Sequence, residues 1–183
     1  MTTPAEQASA ALAAQLADGS LAGNWTLDPA RSSVTFASKS LWGLAPVKGV
    51  FREIEGAGTV SPEGEVTGSV AVVTASLDTK NAKRDTHLRS ADFFLSEQYR
   101  AITFTVGKIV PATDGVTVSG TLTVRDRSLP ISFPAAVALS SGGEVTFDAT
   151  AHVDRSEFGL IWNQLGMASM KNAITIHAVL TRS

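Results

Sequence analysis

From Gly23 to the C-terminus the chain alternates apolar and polar residues with a period of two, and this pattern excludes most folds. Val116, Val118, Gly120, Leu122 and Val124 form the longest clean run, with Thr and Ser between them. Ile131, Phe133, Ala135 and Val137 repeat it, as do Val145 to Val153 and Ile174 to Leu180. Earlier runs fall at Val34 and Phe36, at Val47, Gly49 and Phe51, from Val66 to Leu77, and at Ile102, Phe104 and Val106. Residues i and i+2 share one face of a strand, so each run is a half-buried strand. Pro62-Glu63-Gly64, Asp114-Gly115, Arg125-Asp126-Arg127 and Ser141-Gly142-Gly143 supply turns between them. Eight strands at this spacing predict an all-β antiparallel sandwich or barrel. An eight-stranded barrel has an interior just wide enough for side chains or one small ligand. Gly49, Gly56, Gly58, Gly68 and Gly120 lie within strands, where glycine marks a bend, a bulge or close approach by another group, and they favour the barrel.

Before the strands, residues 3–18 read as a helix. Thr3 is placed as the N-cap, Pro4 as the first helical residue, and Glu6 completes a capping box. Leu12 and Leu16 make a narrow apolar stripe, which predicts a loosely docked tail over 1–22 and a barrel over 23–183. The segment lacks a positive start and a continuous apolar stretch, so it is not read as a secretory leader, and a cytoplasmic protein is expected.

One block departs from the strand pattern. Arg84-Asp85-Thr86-His87-Leu88-Arg89-Ser90-Ala91-Asp92-Phe93-Phe94 is too charged for a core strand and too apolar for a free loop. A short helix with Leu88 inward satisfies it, with Ser90 capping a second turn. Two readings follow: a connector plugging one end of the β structure and shaped by Arg–Asp pairs, or a lid over an apolar cavity.

The remaining chemistry narrows the function. Fifteen basic and 17 acidic residues give a net charge of -2 without a basic run, so no electrostatic footprint for nucleic acid is present. The absence of cysteine removes disulfides and thiolate metal sites. No apolar run reaches the length of a membrane-spanning helix. His152 and His177 fall opposite in parity to the apolar residues of their strands, and with His87 they make no metal-ligand spacing. Serine never occurs in a G-x-S-x-G elbow, and Gly56-Ala57-Gly58 does not open a helix. No catalytic residue, metal or cofactor is assigned.

Two loops are apolar where loops are ordinarily polar. Trp42 lies in Leu41-Trp42-Gly43-Leu44-Ala45-Pro46, and Trp162, Met167 and Met170 lie in the stretch 162–170. Such loops serve a ligand cavity, a homodimer, or both.

The stretches that now matter are Trp25-x-Leu27-Asp28-Pro29, Val34-x-Phe36, Val47-x-Gly49-x-Phe51 and Ser76-Leu77-Asp78-Thr79. They continue with Arg84-Asp85-x-His87-Leu88-Arg89-Ser90-x-Asp92-Phe93-Phe94, Ile102-Thr103-Phe104, Gly120-x-Leu122-Thr123 and Arg155-Ser156-x-Phe158-Gly159-Leu160. In order and spacing they resemble the YceI-like family of lipocalin-like polyisoprenoid-binding proteins. The resemblance implies an extended eight-stranded antiparallel barrel with a short inserted helix, enclosing a long apolar pore. It implies a bacterial carrier or sequesterer of a long lipophilic molecule such as a polyisoprenoid, a quinone-like lipid or a fatty amide. By motif, Phe36, Phe51, Leu88, Phe93, Phe94, Phe104 and Leu122 become pore or plug residues, and Arg84, Asp85 and His87 shape the mouth. Phe133 joins them from its strand, and Trp42, Trp162, Met167 and Met170 from the apolar loops. Arg31 and Arg100 stand where the family usually has histidine and proline. The alternative is an enzyme or a haem- or metal-binding protein on the same barrel, which needs the histidines in one cavity.

Overall fold

In the computed structural model, which describes residues 1–183, the period-two runs form eight long antiparallel strands, three of them broken in two. The segments are β1 (Gly23–Leu27), β2 (Ser33–Ser40), β3 (Ala45–Phe51), β4 (Ile54–Val60), β5 (Val66–Val73), β6 (Leu77–Asp78), β7 (Ala101–Ala112), β8 (Gly115–Val124), β9 (Arg127–Leu139), β10 (Val145–Asp154) and β11 (Lys171–Arg182). Two α-helices accompany them, α1 (Pro4–Ala17) and α2 (Ala82–Arg89).

The breaks have local causes. β1 and β2 both pair with β11, at Leu180–Arg182 and at Ala173–His177 respectively. Between them lies Pro29, which has no N–H for the ladder. Around it, the Asp28 N–H reaches Val179 O at 2.8 Å, and the Val179 N–H donates to the Ser32 hydroxyl at 3.0 Å. A break at Arg52-Glu53 separates β3, paired with β2, from β4, paired with β1. The sheet closes in the order β1-β4-β5-β7-β8-β9-β10-β11, with β11 returning to β1. Closure removes the free edges that an open sheet exposes. β2, β3 and β6 extend the wall beyond the ring, and there the β5–β7 pairing stops at Val73↔Ala101. α2 packs beside β6, whose second edge has no strand partner.

The apolar parity faces inward on every long strand. Two inward glycines have a visible purpose. A Cβ at Gly49 would lie 2.6 Å from Phe36 Cε1, and one at Gly120 would lie 2.6 Å from Phe104 Cζ. Each glycine is the floor on which a phenylalanine ring lies flat against the wall.

The N-terminal helix is more firmly seated than its narrow stripe predicts. The capping box forms as expected, with Glu6 N–H to Thr3 Oγ1 at 3.2 Å and Thr3 N–H to Glu6 Oε2 at 2.5 Å. Leu12 is buried in a cluster with Leu21, Trp25, Val116 and Ala135. Ser9 is buried as well, its hydroxyl 2.7 Å from Ala112 O and 2.6 Å from Gly115 O, able to donate to one of them at a time. Leucine alone does not reveal this docking, because a serine anchors the helix to the β7–β8 turn.

Only 28 of 183 residues are fully buried, few for a chain of this length, because much of the inward face borders open space. Phe36, Phe104, Phe133 and Phe147 point inward yet remain partly accessible.

Candidate functional site: an apolar tunnel with a latched mouth

The open space is a cavity of about 750 Å³ running along the barrel. Its lower end is closed by Leu12 and Leu16 of α1, Leu21 and Trp25. Its walls are the inward faces of the strands, including Val34, Ile109, Val118, Phe147 and Ile176. Of 53 lining residues 38 are hydrophobic, so most of the wall offers no partner to a polar group. Cavities of this size suit molecules of ordinary ligand dimensions.

Eleven of the residues chosen from sequence line this cavity. Phe36, Phe51, Phe104, Leu122 and Phe133 do so from the strands, Arg84, His87 and Leu88 from α2, Phe93 and Phe94 from the segment after it, and Trp162 from the β10–β11 connection. Trp42, Met167 and Met170 do not. Trp42 has a left-handed φ of 54°, and its side chain is 69% exposed rather than turned into the tunnel. Met167 and Met170 serve through their backbones: Met167 O accepts from Trp42 N–H, and Met170 O from Arg155 N–H.

The mouth is built on α2. Asn81 caps it, accepting from Arg84 N–H at 3.0 Å. Arg–Asp pairs do not shape the block. Asp85 is buried and accepts from the Thr79 N–H at 3.0 Å and the Thr79 hydroxyl at 2.5 Å. Arg84 donates to Thr79 Oγ1 and Thr79 O instead, and Arg89 to Ala75 O and Leu77 O. Both arginines satisfy carbonyls where the ladder ends, a need that charge patterning does not disclose. Ser90 bonds back to His87 O at 2.6 Å and lies 3.4 Å from Asp92 N–H.

The latch is His87, held by Asp92 at 2.9 Å and standing edge-on to Trp162. Phe93 packs against both rings, at 5.2 and 5.6 Å between centroids. Beneath them is Arg155, a buried residue that sequence reasoning did not assign to the site. Its guanidinium lies 5.4 Å from the Phe93 ring centre and donates to Ser169 O, Leu160 O and Trp162 O. Burial lowers its pKa. It ties the β10–β11 connection into one piece.

Several other polar groups of the lining lie at this end, Ser38, Lys39, Asn81, Lys83, Ser169 and Asn172 among them, while Thr59, Thr67 and Ser69 line the β4–β5 wall. Their spacing carries no motif and they were not singled out from sequence. His152 and His177 lie on the outer surface, His177 with its Nδ1 2.6 Å from Asp148 Oδ1 across the strand pair. Only His87 of the three lines the cavity, so the histidine cluster required by the haem or metal alternative does not assemble. Arg31 is outside too, between Asp28 at 2.7 Å and Glu144 at 2.6 Å, and its hydrogen bonds hold both carboxyls below their usual pKa. No helix is long and apolar enough to cross a membrane.

Comparison with known proteins agrees with this geometry. A UPF0312 protein of Staphylococcus aureus (strain USA300) is 29% identical over 149 residues, covering 77% of this chain and 84% of its own. The crystal structure of Burkholderia cenocepacia BcnA superposes with a TM-score of 0.75 at 22% identity, covering 85% of this chain and 99% of BcnA. A polyisoprenoid binding domain from Saccharophagus degradans, described as implicated in plant cell wall breakdown, gives a TM-score of 0.69 at 17% identity, covering 87% and 98%. At these identities the two structures share the fold. The model of the YceI-like domain matches residues 25–181, nearly the whole barrel, and on that match the chain belongs to the YceI-like family.

Proposed function

We propose that the protein binds one long lipophilic molecule in the tunnel and carries or sequesters it without transforming it. The observation that carries this reading is the cavity itself: about 750 Å³, lined mainly by aliphatic and aromatic side chains along the barrel. Removing a CH₂ from water gains about 0.8 kcal/mol, so a ten-carbon chain gains roughly 8 kcal/mol before the costs of ordering it. The chain is the part of the guest that this wall recognises, and the polar end belongs at the mouth beside Arg84, His87 and the other polar residues there. The polyisoprenoid-binding neighbour supports a prenyl chain as one suitable guest, and a quinone-like lipid or fatty amide fits the same wall.

The test is a homologous series of prenols, titrated by displacement of a fluorescent lipophilic probe. Affinity is expected to rise with each added isoprene unit until the tunnel is filled, then level off. Affinity independent of chain length would overturn the reading.

A further inference from the structure

The mouth is surrounded by apolar side chains that face away from the tunnel. Leu44 is 84% exposed, Leu165 79% and Ile161 67%, and Leu41 and Trp42 stand beside Leu44 on the same short turn. The β2–β3 turn and the β10–β11 connection are joined as one surface, by Trp42 N–H to Met167 O at 3.2 Å and Ser169 N–H to Lys39 O at 2.8 Å. Residues 40–47 and 158–170 contain no charged residue. Leu41, Trp42 and Leu165 hold left-handed backbone angles, a strained choice for residues with side chains. A large apolar patch kept in water marks a contact surface.

Charge identifies what it contacts. The segments at this end of the barrel, 39–45, 78–100, 125–127 and 154–171, hold ten of the chain's 15 basic residues and seven of its 17 acidic ones, Lys80 being paired with Asp78. Lys39 and Lys83 are exposed at the rim of the tunnel without a carboxylate partner, and no Asp or Glu lines the cavity. Most acidic residues lie elsewhere, toward the end closed by α1 or on the barrel wall. The molecule is therefore polarised, with an apolar and basic mouth opposite a more acidic base. Two copies meeting mouth to mouth would oppose their own lysines, which disfavours a symmetric dimer through this face.

We propose that the mouth docks on an anionic lipid bilayer, with the tips at Leu44, Ile161 and Leu165 immersed among the acyl chains and Lys39 and Lys83 at the headgroups. The inference rests on the lipid-binding reading and extends it to the place of exchange. A guest long enough to fill the tunnel is almost absent from water as a monomer. Docking opens the tunnel directly into the layer that holds it, so the guest need not cross water.

The test is co-sedimentation of the full chain with vesicles of phosphatidylcholine alone or mixed with phosphatidylglycerol. Binding is expected to the mixed vesicles and to weaken as salt is added. Leu44→Ser/Leu165→Ser is expected to lower vesicle binding by at least about tenfold. Lys39→Gln and Lys83→Gln are each expected to cost roughly fivefold on the anionic vesicles. Leu44 and Leu165 do not line the tunnel, so the first variant should still bind a short-chain probe in vesicle-free buffer. Loss of that probe from every form of the protein would instead count against the tunnel reading. Equal vesicle binding by the wild type and Leu44→Ser/Leu165→Ser would overturn docking through this patch. So would absence of wild-type binding to either vesicle, or a wild-type dimer that this variant abolishes.

Discussion

The imidazole of His87 stands edge-on to the indole of Trp162, with ring centroids 4.3 Å apart and planes at 89°. This contact joins α2 to the β10–β11 connection across the top of the tunnel. An aromatic contact of this type contributes about 0.5–1.5 kcal/mol. His87→Ala is expected to speed release of a bound lipophilic probe about 2- to 10-fold, measured by stopped-flow transfer to vesicles, with little change in melting temperature. An unchanged release rate would show that the mouth opens elsewhere.

Phe36 lies on Gly49 so closely that an added methyl would meet both Phe36 Cε1 at 2.6 Å and Thr79 Cγ2 at 2.9 Å. Gly49→Ala must turn the ring into the tunnel or push β3 from β6. A stability loss of about 1–3 kcal/mol is expected in denaturant titrations. Phe36→Leu in the same chain should recover part of it, since the two changes share one space.

Phe104 and Phe133 pack at 5.4 Å between centroids, and both remain partly accessible on the tunnel side. Truncation of a fully packed phenylalanine costs about 3–5 kcal/mol. Phe133→Ala is expected to cost less than that, because part of the ring faces open space, while probe affinity falls. Phe104→Asp should lower affinity at least about tenfold, since an ionised carboxylate resists being covered by a hydrocarbon chain. Full loss of stability with unchanged affinity would make these rings ordinary core.

The docking of α1 gives a separate expectation. Leu12→Ala should destabilise by about 2–5 kcal/mol and Ser9→Ala by about 1–3 kcal/mol. A helix that hung free would yield values within about 0.5 kcal/mol for both. The midpoint of urea unfolding distinguishes the two.

Arg31 sets part of the acid limit of stability. Asp28 and Glu144 are held below their ordinary pKa values of 3.8 and 4.5 by its guanidinium. A carboxylate with a lowered folded pKa stabilises above its unfolded value, and that contribution is lost as pH falls through the folded value. Arg31→Met is expected to flatten the decline of stability below about pH 4, at the cost of slightly lower stability at neutral pH. Parallel pH profiles for the two proteins would contradict the clamp.

Much of the barrel was legible because a strand has period two and one face of each strand here needs cover. Parity groups Ile102, Phe104 and Val106 on one face of their strand, but which face looks into the tunnel came for Phe36 and Phe104 from the family motifs, because a one-residue register error reverses every assignment; the breaks in the period marked the turns. The interruptions were harder to read. β4 runs Ile54-Glu55-Gly56-Ala57-Gly58-Thr59-Val60, and its two glycines remove half of the apolar face that would announce it. The seating of α1 depends on a serine hydroxyl, and the mouth on arginines bonded to carbonyls, neither of which alters hydropathy. Trp42 and Leu165 show the remaining limit. Composition does not say whether an apolar loop side chain turns into the tunnel or away from the molecule, and Trp42 and Leu165 turn away.

A barrel that carries a lipophilic guest should be isolated with that guest inside it. The decisive measurement is native purification, extraction with organic solvent and mass spectrometry of the extract. A long-chain lipid close to one per protein molecule is the predicted result, with Phe104→Asp recovering far less. An empty extract from well-folded protein, still empty after incubation with a mixture of lipids, would mean that the barrel carries no lipid.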